Sequence, residues 1–236
     1  MSEARAKTAD YRELLARYGR THWWTAGMQR ITLTLVGRAQ GRWLDIGCGP
    51  GWLLSELPHG LRGFGVDLYV HATRYRPLVR ATACRLPFRD AGFDVVTALD
   101  VLEQEDVDPA PVLVEARRVL RPGGRLLVRV PAYPGLFGPH DRLWGGARRF
   151  RREELAALMA DTGWTVQRLT YANSLLLFSG VAVRLLERTG WLGGNDLRPL
   201  PAPLNTLLLG VMKLEARWLR SRDFRAGLSL ICLAQR

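Results

Sequence analysis

Gly47, Gly49 and Gly51 occupy alternate positions in the stretch Leu44-Asp45-Ile46-Gly47-Cys48-Gly49-Pro50-Gly51-Trp52-Leu53-Leu54. Glycines so spaced let a backbone turn tightly and approach a ligand without a Cβ in the way, and a helix opening behind them offers free N–H groups to a polar ligand. A second acid follows at Asp67, in Gly65-Val66-Asp67-Leu68, sixteen residues past the last of these glycines. A carboxylate at the end of the next strand accepts hydrogen bonds from ribose hydroxyls. The third glycine comes one residue too early for the G-x-G-x-x-G turn that opens onto a pyrophosphate, and Asp45 precedes the first. The chemistry on offer is therefore the binding of a nucleoside in a more closed loop.

Other residues suit work on a second molecule. His140-Asp141 follows the loop Tyr133-Pro134-Gly135-Leu136-Phe137-Gly138-Pro139. A histidine beside a carboxylate suits removal of a proton from a neutral hydroxyl, so both are candidate catalytic residues. Adjacent side chains commonly point apart, which leaves a solvent-facing or structural His140 as the other reading. Thr21-His22-Trp23-Trp24 comes after a predicted short helix, Asp10 to Tyr18. Two consecutive tryptophans cannot both face one core from a helix, so one is expected to line a cavity or cover the site; the other reading has both capping the sheet. Arg148-Arg149-Phe150-Arg151-Arg152 suits bidentate recognition of a carboxylate or phosphate, or else is the solvated start of a helix. His22, Trp23, Trp24, Tyr133, Arg148 and Arg149 are the candidate acceptor contacts. Cys48, Cys84 and Cys232 are far apart and form no C-x-x-C pair, so no metal is expected.

The elements that must position these residues show as short apolar runs, WLDI, GFGVD, DVVTAL and RLLVRV, each ending in Gly, Asp or Pro and separated by amphipathic or turn-rich stretches from Trp43 to Tyr133. That alternation predicts an α/β layer with a mainly parallel sheet, whose loops gather at the strands' carboxyl edge. Leu113 to Leu120 reads as a helix stopped by Arg121-Pro122-Gly123-Gly124, and Arg152 to Thr162 as another, closed by Gly163. A short strand is expected from Trp164 to Leu169 and a final one from Leu228 to Ala234. Between them, Ser174–Leu186 and Leu204–Leu219 read as two inserted helices, joined by a Gly/Pro-rich linker from Gly190 to Pro203. Their apolar content suits a lid over an apolar acceptor, packing on the sheet, or contact with a membrane through an arginine-rimmed face.

The D-x-G-x-G-x-G spacing from Asp45 resembles motif I of the class I S-adenosylmethionine-dependent methyltransferases, and Gly65–Leu68 resembles the strand-end acid that follows it. The resemblance continues in Arg85–Val96 (RLPFRDAGFDVV), Asp100-Val101-Leu102-Glu103 and Ala116–Gly124 (ARRVLRPGG), and covers residues 43–131 in the family's order. It implies a Rossmann-like α/β sheet of seven strands, six parallel and one antiparallel, with S-adenosylmethionine over the carboxyl ends of the first strands. On that reading Asp45, Gly47, Cys48, Gly49, Gly51, Asp67, Leu68, Leu86 and Asp100 bind the cofactor. The three glycines line its methionine and ribose portion, Asp45 orients the loop or the ammonium, Asp67 holds the ribose, and Leu68 and Leu86 sandwich the adenine. The chain is expected to be one domain, with an N-terminal helical cover (1–42), a cofactor core (43–135) and a substrate cap (136–236) holding the insert (about 174–226). The tract from Tyr133 onward is similar to a bacterial subgroup of type-11-like methyltransferases, which leaves the acceptor open. Two positions depart from the family pattern: Thr82 stands where an acid often accepts from the adenine amino group, and Gln104 where some relatives have a histidine beside the transferred methyl.

Composition bounds the remaining readings. The 236 residues carry 34 basic and 22 acidic side chains for a net charge of +12, and all the bases but Lys7 and Lys213 are arginine. Residues 43–135 are neutral, whereas 1–42 carry +5 and 136–236 carry +7, so the excess lies outside the expected core. Methylation of a hydroxyl oxygen on a small-molecule, natural-product or lipid-linked acceptor, apolar or anionic, is the expected function. Nucleic acid is the competing acceptor, prompted by the charge; Asp100-Val101-Leu102-Glu103 lacks the [DN]-P-P-[YF] that base-methylating enzymes use on a flipped base. A non-catalytic or membrane-associated protein that keeps the fold is the third reading, prompted by Thr82 and Gln104. Widely separated cysteines, no signal-like N-terminus and interrupted apolar runs make a cytoplasmic protein the expectation. The sequence leaves the oligomeric state open.

Overall fold

The computed structural model describes residues 19–69, 77–189 and 200–236. In chain order these form α1 (Trp23–Val36), β1 (Gly41–Ile46), the single turn α2 (Trp52–Ser55), β2 (Leu61–Asp67), β3 (Leu78–Arg80), β4 (Phe93–Leu99), α3 (Pro109–Val119), β5 (Leu120–Pro131), α4 (Pro139–Leu143), α5 (Arg152–Asp161), β6 (Thr165–Ala172), α6 (Leu177–Arg188), α7 (Ala202–Trp218) and β7 (Ser229–Gln235). The expected helix at Asp10–Tyr18, and residues 190–199 of the expected linker, lie outside the described residues.

The central runs Leu44–Ile46, Val95–Ala98 and Leu126–Val130 are buried on both faces, the mark of strands covered by helices above and below. They pair in one seven-stranded sheet of order β3-β2-β1-β4-β5-β7-β6. β7 runs antiparallel to both β5 and β6, and the other six strands point one way. The order reverses between β1 and β4, and such a switch point opens a crevice at the carboxyl ends of the strands. β6 is longer than expected and starts one residue later, with Trp164 buried just before it. α3 starts four residues before the expected Leu113 because Asp108 caps it, its carboxylate accepting the Ala110 N–H at 3.3 Å, with Pro109 in the first turn.

The two inserted helices form, and they differ. α7 packs Met212, Ala216 and Leu219 with Met28, Ile31 and Leu35 of α1 against Trp43, Leu127 and Ile231 of the sheet. The approach is close enough that a Cβ on Gly27 would lie 2.5 Å from the Met212 Cβ. Fully buried Glu215 fastens the chain between β6 and α6 to α7, accepting the backbone N–H groups of Asn173, Ser174 (2.8 Å) and Leu175 (3.1 Å). α6 buries only Glu187 among its side chains and rests on α4 and the 3-10 turn Pro134–Leu136. No helix among the described residues is long and apolar enough to cross a membrane.

Candidate functional site

The turn after β1 folds back over the end of β2, its Gly47 and Cys48 N–H groups donating to the Val66 carbonyl at 2.8 and 3.0 Å. Gly47 has φ 71° and a Cβ there would meet Val101 Cγ2 at 2.4 Å; Gly49 has φ 52° and open space where a Cβ would point. The first glycine thus permits close packing against the β4 loop, and the second leaves room beside the backbone. Gly51, at φ 80°, precedes α2. That expected helix forms as a single turn, and the polar character of this end comes also from the glycine turn and its acids. Asp67 ties the two strand ends together, its carboxylate accepting from Gly49 N–H at 2.8 Å and Tyr69 N–H at 2.9 Å.

Asp45 and Asp100 close the same end. Asp45 is buried and accepts from the Thr97 hydroxyl at 2.6 Å, which in turn accepts from the Trp43 indole N–H at 3.0 Å. Burial raises the Asp45 carboxyl to about 7 against a bridging hydroxyl and Arg129 that pull it down. Asp100 sits at φ 56°, a conformation few non-glycine residues adopt. Its carboxylate is gripped in a fork by Arg129, through Nε at 3.0 and 3.1 Å and through Nη2, and the guanidinium lies 5.2 Å from the centre of the Trp24 ring. Nothing in the sequence reading singled out Arg129; the signal was an arginine inside the otherwise apolar run RLLVRV.

Asp45, Gly47, Cys48, Gly49, Asp67, Leu68 and Asp100 all line one cavity. Leu86 does not: it is buried in the core, because its N–H donates to Glu115 at 2.8 Å while Arg118 Nη2 holds its carbonyl at 3.0 Å. The wall expected from Leu86 is made instead by Ala81, Thr82 and Ala83, beyond β3.

The cavity continues to a second end, enclosing about 1650 Å³ between described residues. That exceeds the roughly 300–1,000 Å³ of a site for one small ligand. His22, Trp23 and Trp24 at the start of α1 and His140 on α4 line it. Both tryptophans face it, where one was expected. Asn205 of α7 fixes this entrance, accepting the Trp23 N–H at 2.9 Å and donating to the Thr21 carbonyl at 3.0 Å.

Asp141 and Arg149 also line the cavity, and the expected contacts at this end have partners within the chain. Asp141 is buried, accepts the Gly138 N–H at 2.8 Å, and is paired with the Arg149 guanidinium at 2.9 Å. Arg149 also donates to the Ala132 carbonyl at 3.1 Å, so its fork is filled from within the chain, and Arg148 is exposed away from the cavity. Tyr133 stacks on Tyr171 with ring centres 5.7 Å apart and is absent from the cavity wall.

Glu103 is the residue the sequence reading left out. It lines the cavity with 5% of its surface exposed, and Oε2 has no hydrogen-bond partner among the described residues. Burial and then the neighbouring Asp100 push its carboxyl well above the usual carboxylate range. Gln104 points to the turn, its amide donating to the Asp100 carbonyl at 3.2 Å and its backbone bridging to Gly146. The signal for Glu103 was its place in Asp100-Val101-Leu102-Glu103 without a following histidine.

Sheet order, glycine turn and strand-end acid together define an S-adenosylmethionine-dependent methyltransferase fold. Residues 44–128 match the family described as "Methyltransferase domain". The chain is 36% identical over 127 residues to demethylmenaquinone methyltransferase of Beutenbergia cavernae, covering 50% of this chain and 52% of that one. It is 34% identical over 137 residues to 27-O-demethylrifamycin SV methyltransferase of Amycolatopsis mediterranei, covering 48% and 50%. The chain spans about half the length of these two curated relatives. Among solved structures, geranyl diphosphate C-methyltransferase from Streptomyces coelicolor superposes with a TM-score of 0.59 at 14% identity, over 90% of this chain and 77% of that one. S-adenosylmethionine carries a sulfonium and an ammonium, and Asp45, Asp67 and Asp100 offset by one arginine, Arg129, suit a cation beside a ribose.

Proposed function

We propose that this chain transfers a methyl group from S-adenosylmethionine to a hydroxyl oxygen of a small-molecule acceptor. The observation that carries the reading is a single cavity joining the glycine turn and Asp67 to a chamber walled by Trp23, Trp24, His140 and Glu103. Its relatives support a small-molecule acceptor, one being named for demethylmenaquinone and another for 27-O-demethylrifamycin SV.

When bound, S-adenosylmethionine supplies a methyl group already activated by its sulfonium. Gly49 leaves backbone room at the donor end, Asp67 accepts from the ribose hydroxyls, and Asp45 and Asp100 face the cationic part. The protein's remaining task is alignment of the acceptor in line with the carbon–sulfur bond, which substitutes placement for strong chemical assistance. The tryptophans hold an apolar acceptor by its faces and edges and keep water out. With the donor bound, the acceptor oxygen would bond to the methyl carbon while the carbon–sulfur bond breaks and its electron pair stays with sulfur, and the chain's part is to hold the two molecules together. The hydroxyl proton must leave, and Glu103 and His140 are two groups on the cavity wall fit to take it. Glu103 has the stronger case, because its second oxygen is buried on the cavity wall and burial raises its affinity for protons.

Calorimetry with S-adenosylmethionine, followed by transfer of labelled methyl groups to a panel of phenols, quinols and apolar alcohols, tests the reading. Binding of the donor with label appearing in an acceptor supports it. Absence of donor binding removes it.

A further inference from the structure

α6 and α7 each turn one side toward the cavity and leave another apolar side uncovered. On α7, Leu204, Leu207, Leu214 and Trp218 are spaced three, seven and four residues apart, so they form one stripe along the helix. Leu207 and Leu214 are 65% and 64% exposed, and Trp218 is 44% exposed. This stripe is separate from the face that packs on α1, which uses Met212, Ala216 and Leu219. On α6, Phe178 is 86% exposed and Leu185 about half exposed. Leu204 and Leu208 of α7 and Gly180 and Val183 of α6 also line the cavity, so the uncovered side chains border its mouth.

The exposed charge around these helices is mainly basic, and the acid beside it, Asp223, is paired with Arg168. Lys213 and Arg217 stand exposed beside the α7 stripe, Arg220 and Arg222 follow it, and the Arg222 guanidinium lies 4.7 Å from the centre of the Trp218 ring. The two acids of the helices, Glu187 and Glu215, are both buried. An apolar stripe bordered by basic side chains and a tryptophan is the pattern of a helix that lies in the plane of a lipid surface. A second copy of the chain is a poorer occupant, since a twofold contact on this stripe would bring the same basic row against itself.

We propose that α6 and α7 seat the mouth of the cavity on an anionic lipid surface, without crossing it. Leu207, Leu214 and Phe178 enter the acyl boundary while Lys213, Arg217 and Arg220 meet the lipid phosphates. The cavity then opens toward the bilayer, which favours an acceptor carrying an apolar chain. Lipid attachment itself does not depend on methyl transfer, so it stands or falls separately from the proposed activity.

The test is flotation of the full chain with phosphatidylcholine vesicles, with and without phosphatidylglycerol, at low salt and at about 0.5 M, where surface charge is largely screened. The wild type should float with the anionic vesicles and keep part of that binding in high salt. Leu207→Ser/Leu214→Ser should lower the vesicle partition about ten-fold or more, because each serine removes a side chain that would be buried in lipid. Phe178→Ser provides the same readout from a side chain with little protein around it. Lys213→Glu/Arg217→Glu should lose the preference for anionic vesicles. Melting temperature and S-adenosylmethionine binding should match the wild type in all three variants, since none alters the packed face. Absence of flotation overturns the proposal. So does flotation that the serine variants leave intact and salt abolishes, the behaviour of any strongly basic protein. Concentration-dependent dimerisation that Leu207→Ser/Leu214→Ser abolishes overturns it in favour of a second copy.

Discussion

The two ends of the cavity are built by different means. At the donor end the backbone does most of the shaping: two left-handed glycines, a turn bonded to Val66, and an acid at the tip of β2 that accepts two N–H groups. At the acceptor end side chains from distant parts of the chain meet, His22 to Trp24 from before β1, Glu103 after β4 and His140 on α4, held by Asn205, Arg149 and Glu215. The difference explains why the first end is shared with relatives across residues 44–128 while the second lies mostly outside that match. A backbone cradle works with many sequences around it, whereas a chamber of side chains changes with each substitution.

If the division is right, the ends separate under mutation. Glu103→Gln should reduce turnover of any methylated acceptor by about 10²–10⁴-fold, the usual worth of a positioned base, and should flatten the acidic limb of the pH–rate profile. Affinity for S-adenosylmethionine should stay within a few-fold of wild type. If His140→Ala produces that pattern and Glu103→Gln does not, the base is His140 and the acidic wall is only a scaffold.

Stability should divide likewise. Arg149→Met strands the buried Asp141 carboxylate and should cost about 3–5 kcal/mol by denaturant unfolding. Arg148→Met, one residue away and exposed, should stay within about 0.5 kcal/mol. Similar losses from both would mean that the run is a solvated basic stretch after all.

The smallest expected effect is a proton count. The folded protein holds the Asp45 proton up to about pH 7, against 3.8 for an ordinary aspartate, because burial disfavours the charged form. The Asp45 contribution to stability is therefore fully present below pH 3.8 and is lost as pH rises toward 7. A cation bound beside it favours the carboxylate, so S-adenosylmethionine binding near pH 6 should release close to one proton, measured from heats in buffers of different ionisation enthalpy. In Asp45→Asn the release should vanish, and the stability difference between variant and wild type should move in the variant's favour from pH 4 to 7.

The strands were legible because parallel strands buried on both faces are continuous apolar runs, and the donor end because its glycines and acids lie within two short segments. Arg129 was hidden because an arginine in a buried strand finds its meaning only in Asp100 and Trp24, which chain order does not place beside it. The His140–Asp141 pairing looked chemical in sequence, yet the first turn of α4 sends Asp141 inward to Arg149. Leu86 shows the opposite case, a side chain expected at the ligand and drawn into the core by the Glu115–Arg118 clamp. Glu103 became visible only in the fold, where its second oxygen is buried with no hydrogen-bond partner among the described residues.

The most direct test of the account is calorimetric titration of S-adenosylmethionine into the wild type, Asp67→Ala and His140→Ala. The account predicts one donor molecule bound per chain and an affinity unchanged in His140→Ala. In Asp67→Ala it predicts a loss of about 100-fold or more, as expected when hydrogen bonds to a charged acceptor are removed. No binding to the wild type, or equal binding to Asp67→Ala, would contradict it.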